Sequence, residues 1–226
     1  LAPPAACTLW SAIGARELRA VARIAEGRPP AAPVSEIQVA RRDRILEAAV
    51  ELGVNRDFER VQMNDVAQCA GVAIGTLYRY FPSKIHLFAA VYDAQVMQFI
   101  EHDWPAQRGE AVAEIGEAMV ALSRRLMTDP RLCTAMVWAT VATYTNHPSQ
   151  AANNAEPALY DAILRTLDSP GPDAEARSAV QLLTYSWWGV LVASLVGRTP
   201  IRRGEEQVRL ATRLILAPYA GRRHAT

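Results

Sequence analysis

From about residue 35 onward, apolar positions recur at the three-to-four-residue spacing of helices. Across Arg41–Leu52, residues Ile45, Leu46, Ala49 and Val50 share one face with charges opposite, the stripe of an amphipathic helix. Gly53 and Asn55 then supply a stop signal. Short helices are predicted over Met63–Ala70, with Val66, Ala67 and Ala70 inward, and over Ile74–Tyr80. Gly71 makes the turn between them, because a residue without Cβ takes positive φ at little cost. Pro82-Ser83 breaks the chain and opens a long helix from Lys84 to His102, closed by Trp104-Pro105.

Further helices are predicted near 109–128, 130–144, 155–168, 174–197 and 204–217. Asp129-Pro130, Asn146-His147-Pro148, Ser169-Pro170-Gly171-Pro172 and Arg198-Thr199-Pro200 mark the joints. Neither a useful alternating pattern nor a fixed-period repeat occurs, so the expectation is an all-α protein. It comprises a three-helix unit at 35–83, a helical domain at 84–218 and a tail at 219–226, about nine helices in all. Residues 1–34, with Pro3-Pro4 and the run Arg28–Pro33, read as a flexible leader. Arg16, Arg19, Arg23 and Arg28 against Glu17 and Glu26 leave a weakly basic arm toward DNA as the alternative. No basic segment precedes Leu9-Trp10, so a secretory signal is not expected.

Half of the residues are hydrophobic, enough to bury a core. The net charge of +1 points to no polyanionic partner by itself. Cys7, Cys69 and Cys133 are widely spaced, and His86, His102, His147 and His224 are scattered. Idle thiols in a reducing cytoplasm are expected, with no metal site and no cofactor. No nucleophile elbow, P-loop or dinucleotide glycine fingerprint is present. Glu205-Glu206 beside Arg202, Arg203 and Arg209 reads as surface ion pairing, so an enzyme is not expected. The uncharged run Ser178–Gly197, with Trp187-Trp188 inside it, has the length of a membrane span. Ser178, Gln181, Thr184, Ser186 and Ser194 interrupt it, and no second such run exists. It reads instead as a central buried helix, with Ser186, Gly189 and Ala193 placed to admit a neighbouring helix.

The most informative stretch is residues 61–84, Val-Gln-Met-Asn-Asp-Val-Ala-Gln-Cys-Ala-Gly-Val-Ala-Ile-Gly-Thr-Leu-Tyr-Arg-Tyr-Phe-Pro-Ser-Lys. Two short helices joined by a glycine turn form a helix-turn-helix, whose second helix lies in the DNA major groove. Gly75 lets the helix backbone come close to DNA. Thr76 offers a hydroxyl and a methyl group suited to the thymine methyl. Tyr78 and Tyr80 can reach phosphates, Arg79 can read a base or clamp a phosphate, and Lys84 opens the next helix where a cation favours phosphate. Between Ser35 and Gln95, seven basic residues (Arg41, Arg42, Arg44, Arg56, Arg60, Arg79, Lys84) face eight acidic ones (Glu36, Asp43, Glu47, Glu51, Asp57, Glu59, Asp65, Asp93). A DNA face must therefore gather Arg41, Arg42, Arg44, Arg79 and Lys84 and turn the acids elsewhere.

This run closely resembles the DNA-binding signature of the TetR family. Ala70-Gly71-Val72, Gly75-Thr76-Leu77-Tyr78, Tyr80-Phe81 and Ser83-Lys84 match it. The resemblance implies DNA-facing positions at Gln62, Asn64, Ala73, Ile74, Thr76, Tyr78, Arg79, Tyr80 and Lys84, with Leu77 and Phe81 inside. The family often carries Thr at the position of Gln62 and Ser or Thr at that of Ala73. Losing such a cap typically costs about 1 kcal/mol. The resemblance further implies a homodimer built through the last two long helices. Its recognition helices would lie about 34–36 Å apart on a pseudo-palindromic operator. A small apolar ligand in the C-terminal domain would release the DNA.

Candidate pocket residues are Phe99, Trp104, Met119, Leu122, Leu126 and Met136, joined by Trp138, Val141, Tyr144, Trp187 and Trp188. Within the family, the 61–84 run is most similar to actinobacterial repressors of cholesterol and steroid catabolism. That similarity implies a steroid acid or its coenzyme A thioester as ligand, the alternatives being a multidrug or fatty-acyl sensor.

Overall fold

The computed structural model describes residues 35–105, 109–146, 155–167 and 174–220. The leader at 1–34 with Cys7, as well as His147 and His224, lies outside them, as does the side chain of Tyr144. Nine α-helices and no strand occur among the described residues. They are α1 Glu36–Asn55, α2 Met63–Cys69, α3 Ile74–Tyr80, α4 Lys84–His102, α5 Ala111–Leu126, α6 Pro130–Asn146, α7 Ala155–Thr166, α8 Ala174–Leu195 and α9 Ile201–Leu216. Short 3-10 turns occur at Phe58–Arg60 and Ala217–Tyr219.

Ser35 opens α1 from extended backbone (φ −141°, ψ 156°), and its hydroxyl accepts a hydrogen bond from Gln38 N at 3.4 Å. The stripe Ile45, Leu46, Ala48 and Ala49 is buried. Gly53 does not stop this helix, which runs on to Asn55. A Cβ at Gly53 would sit 2.8 Å from Leu132 Cδ1 and 2.9 Å from Phe88 Cε1, so the glycine is where α1 presses on α4 and α6. Burial against those two helices outweighs the weak helix propensity of glycine.

Helix α4 is the central strut, packed on α1, α6 and α7 and burying Leu87, Phe88, Val91, Val96 and Phe99. Glu110 caps α5, its carboxylate accepting from Val112 N at 3.1 Å and Ala113 N at 2.7 Å. Trp187 Nε1 donates from α8 to Ser123 Oγ at 2.8 Å and Met119 O at 3.2 Å, which ties α8 to α5. Helix α9 begins at Ile201, earlier than the hydrophobic period predicts. Its first turn carries exposed Ile201, Arg202 and Arg203, which leave no apolar stripe to read. Tyr219, expected in the tail, is buried.

None of the described helices is long and apolar enough to cross a membrane. Helix α8 buries Val180, Leu183, Thr184, Trp187 and Leu191 on one side only. On its other side Leu182 is 56% exposed, Tyr185 57% exposed, and a Cβ at Gly189 would meet nothing within 4 Å. The helix therefore packs within its own chain on one side only, and the other side is the one the sequence reading gives to a twin subunit.

Candidate nucleic-acid interface

The reading unit is built around one glycine. At the end of α2, Gly71 takes φ +63°, its N–H donates to Gln68 O at 3.1 Å, and Val72 N donates to Ala67 O at 2.9 Å. This paired arrangement closes a helix through a left-handed residue that glycine adopts without strain. The chain leaves the turn extended at Ala73 and enters α3. Neither Gln62 nor Ala73 caps its helix with a side-chain hydrogen bond, as their residue types lead one to expect.

Helix α3 has two faces. Leu77, fully buried, points into the core with Phe81 just beyond the helix. Outward lie Ala73, Ile74, Gly75, Tyr78 and Arg79, all exposed, with Thr76 half-buried at the edge. Gln62 and Asn64 are exposed at the start of α2. The helix backbone at Gly75 is open, since a Cβ there would meet nothing within 4 Å. Arg60 and Arg79 are exposed and make no ion pair with any described residue. Two nearby carboxylates are occupied elsewhere, Asp65 by Arg56 and Asp57 by Arg131 at 3.7 Å.

Two expected DNA contacts are placed differently. Tyr80 is only 5% exposed, because it falls one turn from Leu77 and therefore on the inner face of α3. Lys84 points away from the outward edge. Its ammonium donates to Phe58 O at 2.6 Å, Val61 O at 3.0 Å and Glu59 O at 3.3 Å, and lies 4.4 Å from the centroid of the Phe58 ring. An ammonium has three donors, and all three are used. Partial burial lowers the Lys84 pKa from its ordinary value, and Glu59 opposes that shift. The lysine fastens the 3-10 turn to the start of α4, a role its place in the sequence motif does not reveal.

Phe58 itself was missed by sequence reading, since Phe58–Arg60 carries no periodic signal. Its ring stands 5.4 Å from Phe88 of α4, edge-on, and 4.7 Å from Trp138 of α6. Trp138, expected to line a pocket, thus sits where the C-terminal helices grip the reading unit. Among the other pocket candidates, Phe99, Met119, Leu122, Leu126, Met136 and Trp187 are buried in one continuous core. Trp104 packs edge-on against Phe99 at 6.3 Å and donates to Thr166 Oγ1 at 2.9 Å. Trp188 meets Tyr92 at 5.5 Å, and Val141 is half-buried. Cys69 is exposed and Cys133 buried, its thiol pushed up to about 12 by burial. No group of His, Cys, Asp and Glu among the described residues could hold a metal ion.

A three-helix unit with one open-edged helix, mounted on a helical C-terminal domain, is the architecture of a helix-turn-helix regulator. Residues 45–91 match the family described as bacterial regulatory proteins of the tetR family, and residues 109–215 match the tetracyclin repressor-like C-terminal domain. The chain belongs to the TetR family of DNA-binding transcriptional regulators, which are not enzymes. It is 30% identical over 184 residues to the HTH-type transcriptional repressor KstR of Mycobacterium tuberculosis, covering 80% of this chain and 83% of that protein. With KstR of Mycolicibacterium smegmatis the identity is 31% over 185 residues, covering 80% and 90%. A TetR transcriptional regulator from Rhodococcus sp. RHA1 superimposes with a TM-score of 0.69 at 38% identity, covering 79% of this chain and 98% of that one. Thermus thermophilus FadR, solved in complex with lauroyl-CoA, shares the fold with a TM-score of 0.63 at 23% identity, covering 82% and 98%.

Proposed function

We propose that this protein is a homodimeric repressor whose α3 enters the major groove of a pseudo-palindromic operator, and that an apolar small molecule in the C-terminal domain releases it. The outward edge of α3 carries this reading. Ile74 and Thr76 suit thymine methyl groups, Tyr78 and Arg79 suit phosphate or a base edge, and Gly75 permits close backbone approach. Gln62 and Asn64 flank that edge at the start of α2, and exposed Arg60 supplies further positive charge. Residues 35–83 act as the reading domain and residues 84–218 as the receptor and dimerisation domain.

The exposed apolar side of α8 and α9 supports dimerisation. Leu182 and Tyr185 on α8 and Leu210 and Leu214 on α9 are all exposed, the last to 68%. A second copy meeting this face forms a four-helix bundle and carries two α3 helices related by one two-fold axis. The Phe58–Trp138 contact supports coupling, since any ligand that shifts α6 acts directly on the reading domain. Release then follows from unequal ligand affinity for the DNA-bound and free arrangements.

The steroid class follows from the resemblance of the 61–84 run, and similarity to the KstR proteins over most of the chain supports it. A fatty-acyl thioester is the second reading, favoured by the fold shared with the lauroyl-CoA-bound protein. The test is fluorescence anisotropy with DNA from upstream of the protein's own coding region. Affinity is expected to fall by orders of magnitude between about 50 and 200 mM salt. A steroid thioester is expected to weaken binding at least about tenfold, the effect of roughly 1.4 kcal/mol of coupling. Absence of binding at low salt contradicts the reading.

A further inference from the structure

We propose that Thr140 is the polar anchor of the small-molecule site, its hydroxyl donating a hydrogen bond to a carbonyl oxygen on an otherwise apolar ligand. The proposal rests on the receptor reading given above and names one contact within it. Serine and threonine inside helices commonly satisfy their hydroxyls on the carbonyl four residues back. On α6 both neighbouring threonines do so, Thr134 donating to Pro130 O at 2.7 Å and Thr143 to Ala139 O at 2.9 Å. Elsewhere Thr166, Thr184 and Thr212 do the same at 2.9, 3.0 and 2.9 Å. Thr140 does not. It is 4% exposed, and its Oγ1 has no hydrogen-bond partner among the described residues.

The four polar residues buried among the described residues are Thr140, Thr166, Thr184 and Thr212, so Thr140 alone of them is unsatisfied. A buried hydroxyl without a partner is unfavourable, and valine would fill nearly the same space without that cost. The residue lies one turn along α6 from buried Met136 and Val137 and two residues from Trp138. Its helix packs on α4, α1 and α8, so whatever meets the hydroxyl is embedded among hydrocarbon. Among the described residues none of the buried ones is charged, which favours a neutral oxygen over a carboxylate. The carbonyl of an acyl thioester and the ketone of a steroid ring present the same acceptor to Thr140.

The experiment titrates full-length wild type, T140V and T140S with three probes, read by tryptophan fluorescence. Lauroyl-CoA supplies a thioester carbonyl, 4-cholesten-3-one a ring ketone, and 5α-cholestane no oxygen at all. We expect T140V to melt about 2–4 °C above wild type and to bind own-promoter DNA unchanged. We expect it to bind the preferred carbonyl probe about tenfold or more weakly. T140S should bind that probe like wild type, and the oxygen-free probe should not distinguish the three proteins. The probe that binds identifies which carbonyl source is used. Equal affinity of wild type and T140V for the carbonyl probes overturns the role of Thr140 and leaves the receptor reading standing. Failure of both carbonyl probes to bind wild type overturns the ligand class together with the anchor. A T140V protein that does not fold also overturns the proposal, since the hydroxyl then serves the fold.

Discussion

Lys84 and Phe58 are joined twice: the ammonium donates to the Phe58 carbonyl at 2.6 Å and stands 4.4 Å from the centroid of its ring. The link joins the 3-10 turn before α2 to the start of α4. A cation placed this way fixes the angle at which α2 and α3 are presented. Lys84→Met keeps the stem but abandons three carbonyls, and is expected to cost about 1.5–3 kcal/mol of stability, as for hydrogen bonds to a charged group. Thermal melting checks that loss. The salt dependence of DNA binding separates the two roles, because its slope should match wild type if no phosphate contact is lost. A slope lower by about one counterion would return Lys84 to the DNA interface.

Gly75 is helical, has no positive φ and would meet nothing with an added Cβ. Within the chain, alanine is the better residue there, and Gly75→Ala is expected to add about 1 kcal/mol of stability. The same methyl group stands on the surface assigned to DNA. Operator affinity should therefore fall while the melting temperature rises. Movement of both in the same direction would place the DNA contact elsewhere.

Leu210 and Leu214 lie one turn apart on the open face of α9. Replacing both by Glu leaves the monomer core intact and puts two charges at the face assigned to the partner copy. Light scattering is expected to report a monomer, with helical content preserved and operator affinity largely lost. A dimer that survives the double substitution would move the interface off α8 and α9.

Two bidentate pairs clasp α5 to α9. Arg209 donates to Glu117 at 2.6 and 3.0 Å, and Arg124 Nε donates to Glu205 at 2.7 Å. Hydrogen bonds from Arg209 hold the Glu117 carboxyl below its ordinary value of 4.5, and those from Arg124 do the same for Glu205. A carboxylate with a depressed folded-state pKa stabilises the fold above its unfolded value and loses that contribution as pH falls through the folded value. Melting temperature should hold down to about pH 4.5 and decline below it. Solvent screening keeps this contribution small, since the Glu117 side chain is 62% exposed. Glu205→Gln should flatten the acid decline; an unchanged profile would assign it to other carboxylates.

Hydrophobic period and breaker residues were enough to locate the nine helices of the described residues, because each long helix buries a stripe and each joint carries Pro, Gly or Asn. The errors have a common physical origin. Gly53 reads as a stop until Phe88 and Leu132 are seen packed over it, a contact from residues far away in sequence. Tyr80 and Lys84 carry groups that DNA could use, and only the three-dimensional path of the chain aims them inward. Trp138 sits in an apolar stripe like any pocket wall, and its packing on Phe58 comes from a residue far away in sequence. Thr140 gave no signal at all, since a threonine's missing hydrogen bond is not written in its neighbours' identities. Conversely, the outward set Ile74, Gly75, Tyr78 and Arg79 was legible, because a seven-residue helix with Leu77 inside has one opposite face.

This opposite face is the surface assigned to DNA, and an equilibrium titration of own-promoter DNA, at fixed salt, with wild type and with Tyr78→Ala and Arg79→Ala tests it. Both side chains are exposed, so the variants should melt like wild type. We expect Arg79→Ala to weaken binding by about 1–3 kcal/mol, roughly ten- to a hundredfold or more, and Tyr78→Ala to weaken it in the same direction. Wild-type affinity in both variants would contradict the account.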